Sequence, residues 1–175
     1  MLPLVVLDLW TKAWAFAAVA EQSPTIRKTN GITYQEQRIP VDFLPDPFGF
    51  ALVRLRNTGT VWGLAQDSTI ILMVLRCIAV LALVWFARKT EVRHRLQQLT
   101  LGGILAGALG NLYDNFFCLN RGVRDFLYLF RLDEEGVEHG FPAFNAADSY
   151  ITVGAVLLLI SMWFQPASNP AHNPN

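Results

Sequence analysis

Asp125, in Val123-Arg124-Asp125-Phe126, and Asp148, in Phe144-Asn145-Ala146-Ala147-Asp148-Ser149, are the residues of this chain best suited to chemistry. Asp148 opens an apolar run that continues to Phe164, and Asp125 reads as part of the loop before it. A carboxylate beside hydrocarbon is costly and is usually kept for a function. Two carboxylates a few ångströms apart cannot both ionise easily, so one keeps its proton. The ionised member can then take a proton from water while the protonated one polarises a carbonyl. That division of roles suits peptide hydrolysis. Asp148 also has a plainer reading. It is the third residue of a helix starting after Asn145, where an acid suits the helix dipole and Asn145 suits the N-cap.

Those two residues need a scaffold, and composition says which kind. Of 175 residues, 53% are apolar, and the charge falls between the apolar stretches. Stretches 2–20, 69–87, 99–117 and 147–164 each rise to roughly 27–29 Å as helices, close to the hydrocarbon thickness of a bilayer. They predict a mainly α membrane protein: a four-helix transmembrane bundle in a single domain, 1–165. The outer loops would be 21–68 and 118–146. Residues 166–175, rich in Pro and Asn, read as a disordered cytoplasmic tail. Arg88, Lys89, Arg93 and Arg95 crowd the short link between the second and third spans. Short basic links stay in the cytoplasm, which puts both termini inside and both aspartates at the outer face. Trp85 and Trp163 then fall near the inner headgroup zone. Ala18-Val19-Ala20 has the small residues of a leader cleavage site. No positive charge precedes it, however, and Asp8 and Lys12 interrupt the run, so the segment is read as retained.

The remaining polar residues are read one by one. Asp8 and Lys12 are spaced i,i+4, acid first, and read as a structural pair. Arg76, in the middle of the second span, needs a partner, for which a carboxylate is the simplest expectation. Gly103 and Gly107 form a G-x-x-x-G that indicates close helix packing. In the first outer loop, 31–39 and 50–56 read as strands, the second with Arg54 and Arg56 on one face, and Asn57-Thr58-Gly59 as a turn. Asp133, Glu134, Glu135 and Glu138 read as a solvated acidic run. Cys77 and Cys118 read as packing residues. His94, His139 and His172 are scattered, so no metal site or cofactor is expected. A formal net charge of zero gives nucleic acid no purchase.

Five short motifs occur in order: Asp8-x-x-Thr11-Lys12, Asn57-x-Gly59, Gly107-x-x-Gly110-Asn111-Leu112-x-Asp114, Val123-x-Asp125-Phe126 and Phe144-Asn145-x-Ala147-Asp148. Together they resemble the lipoprotein signal peptidases, the bacterial signal peptidase II family. The resemblance implies a multi-pass aspartyl endopeptidase of the cytoplasmic (inner) membrane. Its substrate would be a diacylglyceryl-modified prolipoprotein, cut just before the modified cysteine. Membrane lipids would surround it, and a monomer would suffice. It implies a four-helix fold with a small outer β-cradle, and Asp125 and Asp148 as the catalytic dyad. Asn57, Gly59, Gly107, Asn111, Asp114, Val123, Asn145 and Ala147 fall at motif positions that shape the site and hold the substrate. The chain departs from the family pattern at Leu9, where Gln is usual, and at Asn115, where Arg is usual. Between Asp114 and Asp125 it is longer by about two residues than this resemblance implies. Either Arg121 or Arg124 supplies the displaced cation, or the contact is absent. Two other readings use the same residues. A weakened relative would bind lipoprotein precursors without cutting them. A small transporter would use Asp8, Lys12, Arg76 and Asp148 as intramembrane charges.

Overall fold

The computed structural model describes residues 1–29, 32–58, 68–90 and 95–163. Gly59, the centre of the basic link (including Arg93) and the tail 166–175 lie outside them. In chain order the elements are α1 (Leu2–Ala20), β1 (Thr25–Thr29), β2 (Ile32–Glu36), β3 (Arg38–Pro40), β4 (Phe48–Asn57), α2 (Ser68–Lys89), α3 (Arg95–Phe117), a 3-10 turn (Leu119–Arg121), β5 (Val123–Leu132), β6 (Glu138–Gly140) and α4 (Ala146–Trp163). The protein is mostly helical with a small antiparallel sheet. By length and composition, α1 and the segment Ile70–Lys89 could each cross a membrane, while Ala146–Ser161 is a shorter apolar helix.

The helices bury polarity and expose hydrocarbon. In α1 the buried residues are Asp8, Lys12, Ala15, Phe16 and Val19, a single stripe at i, i+4, i+7, i+8 and i+11. Val6, Leu7, Trp10 and Trp14 face outward, with Trp10 and Trp14 stacked 6.4 Å apart. Along α2, Ile71, Leu75, Ile78, Leu81 and Trp85 are likewise exposed. Exposed apolar faces around a charged interior suit lipid as the solvent.

Glycines set the helix contacts. A Cβ on Gly107 would strike the Ala147 carbonyl, and one on Gly110 would strike the Asp8 carboxylate. These two glycines therefore bring α3 against α4 and α1. Gly103, the other half of the expected G-x-x-x-G, has open space where its Cβ would be. The packing stripe is thus shifted one turn toward the site.

Strands β3-β4-β5-β6 form one antiparallel sheet, and β1-β2 a separate hairpin. Ala15, Phe16 and Val19 of α1 cluster with Leu52 of β4 and Phe126 of β5, so the apolar core lies where the end of α1 meets the sheet. Gln37 donates to the carbonyls of Ala20 (3.3 Å) and Gln22 (2.9 Å), tying the sheet to the exposed end of α1. Arg54 and Arg56 both lie over the Phe16 ring, at 5.8 and 5.3 Å, in keeping with a shared strand face.

Three expectations change. The stretch 31–39 is not one strand: β2 and β3 are separated at Gln37 and belong to different sheets. Asp125 does not lie in a loop, because 123–132 is a ten-residue strand. Its run of buried and half-buried residues has no clean alternation, which hides a strand from a period-two reading. Finally, the acidic run is not all solvated. Glu138 is 2% exposed and pairs with Arg38 at 2.9 Å. That pair joins the two outer strands of the sheet, and Arg38 stacks 5.2 Å from the Phe130 ring between them. Asp133 accepts from the Glu135 and Val137 amides and meets the His139 ring at 2.8 Å, which holds its carboxyl below the usual range.

Candidate active site

Two irregularities deliver Asp125. The β4–β5 register shifts between Leu52 and Leu55, so Leu52 pairs with Leu127 while Leu55 pairs with Asp125. One extra residue on β4 opposes β5, a bulge of the kind that re-aims a side chain. Asp125 and Phe126, neighbours in sequence, are both buried, at 1% and 4% exposure, because Phe126 packs on the α1 core while Asp125 meets Asn145. The second irregularity is the segment before α4. Phe144 pairs with Leu127 across a bridge, donating to its carbonyl at 3.0 Å and accepting from its amide at 2.8 Å. This pins Asn145 beside Asp125.

Asn145 then links the two aspartates. Its side-chain amide donates to Asp125 Oδ1 at 2.6 Å, and its backbone N–H donates to Asp148 Oδ2 at 3.1 Å. Its Oδ1 accepts from the Asp148 N–H at 3.1 Å. The last two bonds form a reciprocal cap at the start of α4. The capping reading of Asp148 is therefore realised by its Oδ2, and its Oδ1 is left to other partners. Asn111 completes the link by donating to Asp148 Oδ1 at 2.8 Å and accepting from Asn145 at 3.2 Å. Asn57, at the end of β4 opposite Val123, also bonds the Asp125 carboxylate.

A brace of charges lies beneath. Lys12 meets Asp8 at 2.8 Å and Asp114 at 3.4 Å, all three fully buried, and donates to Asn111 Oδ1 at 2.9 Å. Asp8 accepts from the Ala147 N–H at 2.9 Å, next to Asp148. Asp114 receives the Arg124 side chain at 2.7 and 3.0 Å and its backbone N–H at 3.0 Å, next to Asp125. Every member of this brace thus ends one residue from an aspartate of the pair, or on an amide that touches one. Single charges left in such a place would be prohibitive; paired and hydrogen-bonded they fix geometry.

Burial is the largest cause that pushes Asp125 up, to about 6, and the charge of Asp148 acts in the same direction. Hydrogen bonds from Asn145 and Asn57 and the Lys12 charge oppose the rise. Beside Asp148 opens a largely apolar cleft of about 540 Å³, walled by Leu129, Phe141, Phe144, Thr152 and Val153. Among the described residues no group of three His, Cys, Asp or Glu could hold a metal ion.

The sequence-derived residues sort as follows. Asp125, Asp148, Asn57, Asn111 and Asn145 meet at one point. Asp8, Lys12, Asp114 and the Ala147 backbone brace it. Gly107 and buried Val123 shape its walls. Arg121 is exposed and contributes only its carbonyl, which accepts from Asn115 at 2.5 Å. Arg124, one of two candidates for a displaced cation, is bound to Asp114. Among the described residues no carboxylate is in direct contact with Arg76. Arg76 donates instead to Asn115 Oδ1 at 2.6 Å, and a neutral amide satisfies the donor while leaving its charge uncancelled. Sequence reading missed that contact because Arg76 and Asn115 are 39 residues apart and no spacing rule joins them.

The family model described as Signal peptidase (SPase) II matches residues 1–164. The chain is 29% identical to the lipoprotein signal peptidase of Geobacillus kaustophilus (strain HTA426) over 161 residues, 92% of this chain and 88% of that one. It is 36% identical to the lipoprotein signal peptidase of Chlamydia trachomatis serovar L2b over 122 residues, 69% of each chain. Two solved structures described as bacterial membrane enzymes are similar in fold. One superposes with a TM-score of 0.66 and 25% identity, covering 94% of this chain and 90% of that one. The other gives 0.63 and 26%, covering 93% and 84%. The protein, matched to that family model over nearly its whole length, belongs to the signal peptidase II family.

Proposed function

We propose that this chain is an aspartyl endopeptidase of the bacterial inner membrane that removes signal peptides from diacylglyceryl-modified prolipoproteins, cutting before the modified cysteine. Four helices cross the membrane in one domain, 1–165, with both termini cytoplasmic. The sheet forms an extracytoplasmic cradle over Asp125 and Asp148, and one chain is the working unit. The observation that carries this reading is Asn145, which bonds Asp125 through its side chain and Asp148 through its backbone. In this reading the two carboxyl groups held by one residue share a proton and act on one water molecule.

The chemistry follows. With one proton on the pair, the ionised carboxylate takes a proton from water. The water oxygen attacks the scissile carbonyl carbon, and the protonated carboxyl donates to the carbonyl oxygen. Collapse of the tetrahedral intermediate sends a proton to the departing amine. Asn57, Asn111 and Asn145 hold the carboxylates in register, so the charge that develops meets a preorganised site. The cleft beside Asp148 would take apolar parts of the substrate, where burial of hydrocarbon supplies binding energy.

A synthetic precursor peptide in detergent or liposomes tests this. Mass spectrometry should find a single cut immediately before the diacylglyceryl-cysteine, with the unmodified peptide cut at least tenfold more slowly. Equal cleavage of both peptides, or cleavage elsewhere, would remove the substrate assignment.

A further inference from the structure

Charged groups from several elements crowd around the aspartate pair. Four carboxyl groups gather there: Asp8 from α1, Asp114 from α3, Asp125 from β5 and Asp148 from α4. Among the described residues, Lys12, Arg124 and Arg76 face them from the same elements and α2, while Arg56 of β4 stands at the edge of the group, over the Phe16 ring and beside Cys118. Lys12 is in contact with Asp8 at 2.8 Å and Asp114 at 3.4 Å, and Arg124 with Asp114 at 2.7 Å. These two cations offset those two acids. Arg76 remains, held by neutral Asn115. Asn115 is 1% exposed and lies one helical turn beyond Asn111, which bonds Asp148. Arg76 and the pair are thus joined through one face of α3, which presents Asn115 to the guanidinium and Asn111 to Asp148. With a single proton on the pair, the four acids and Lys12, Arg124 and Arg76 sum to zero, and only then.

We propose that Arg76 is a positioning residue for the peptidase reaction: held by Asn115, its guanidinium balances the single negative charge of the Asp125–Asp148 pair and so sets the pH window in which the pair holds one proton. This rests on the peptidase reading above. A neutral anchor is what such a role needs. A carboxylate on Arg76 would cancel the charge, whereas an amide fixes the fork and leaves the charge facing the pair. An unbalanced cation in the apolar middle of α2 otherwise has no compensation for its desolvation. The coupling acts without direct contact, through a medium of intermediate dielectric, so its size should be about one pH unit.

The test is the pH profile of kcat/KM for cleavage of a diacylglyceryl precursor peptide, measured with the purified full chain. Removing a cation makes both protons of the pair harder to lose. Arg76→Gln should therefore move both limbs of the profile upward by about one unit. Arg76→Lys keeps the charge and should leave both limbs within about a third of a unit, even if the maximum falls. Asn115→Asp offers a second route if Arg76→Gln does not insert: it neutralises the guanidinium in place and should move the limbs in the same direction. Limbs that stay fixed in Arg76→Gln or Asn115→Asp while the rate falls uniformly would make Arg76 a packing residue and overturn the proposal. So would a shift in Arg76→Lys as large as in Arg76→Gln. If the unaltered chain cleaves nothing, the peptidase reading itself fails, and that result is distinct from a cleaving enzyme whose limbs do not move.

Discussion

At the scale of single residues, the two aspartates are unequal. Asp125 is nearly enclosed and is pushed up to about 6, whereas an unfolded chain would ionise it near 3.8. Between those values the folded chain binds more protons than the unfolded one, so this group's contribution to stability falls as pH rises. Asp125→Asn keeps the acceptor for Asn145 and removes the buried charge. Its thermal midpoint should exceed that of the unaltered chain by on the order of 4 °C at pH 7.5, with the gap closing below pH 4. Thermal unfolding in detergent at the two pH values measures this, and an equal gap at both would refute it. The catalytic profile has a matching sign. Loss of the shared proton sets the alkaline limb of kcat/KM, which should lie at or above pH 6 because lipid around the site would deepen the burial. Residue types and order disclosed both acids and their asparagines. They could not disclose Arg124 on Asp114 or Arg76 on Asn115, because those contacts depend on which helix faces which.

At the scale of elements, the site is made by three local devices. A bulge in β4 adjoins the pairing with Asp125, a bridge at Phe144 docks the segment before α4, and two glycines of α3 admit α1 and α4. Helix positions were legible because long apolar runs are conspicuous: α1 matches 2–20 and α4 starts one residue early, at Ala146. Strand β5 was not, since its buried and half-buried residues follow no two-residue period. The bulge was invisible for the same reason; register is a property of two strands. The glycines give a sharp contrast. Gly107→Ala should destabilise by about 1–3 kcal/mol, because its methyl meets the Ala147 carbonyl. Gly103→Ala, with open space at that point, should be neutral or stabilise by up to about 1 kcal/mol through helix propensity. Thermal or denaturant unfolding of the pair decides it. Equal losses at both positions would mean the contact stripe has been placed wrongly.

At the scale of the whole molecule, polarity is inside and hydrocarbon outside. The sheet packs on the C-terminal end of α1, while α2 ends in Arg88 and Lys89 and α3 begins at Arg95. On the proposed topology the basic residues Arg88 and Lys89, in the last turn of α2, face the cytoplasm. Single cysteines in a background lacking Cys77 and Cys118 test the orientation. Glu134→Cys should react with an impermeant thiol reagent in intact cells, and Arg88→Cys only after the inner membrane is opened. The reverse pattern would invert the topology and place both aspartates on the wrong side for an exported precursor.

Cleavage of one diacylglyceryl precursor peptide by the unaltered chain, Asp125→Asn and Asp148→Asn, each verified as inserted and folded, bears most directly on the shared-proton pair. The unaltered chain should cut before the modified cysteine, and each variant should be slower by at least about a thousandfold. A variant that keeps a tenth or more of the rate would show that hydrolysis does not need both carboxyl groups.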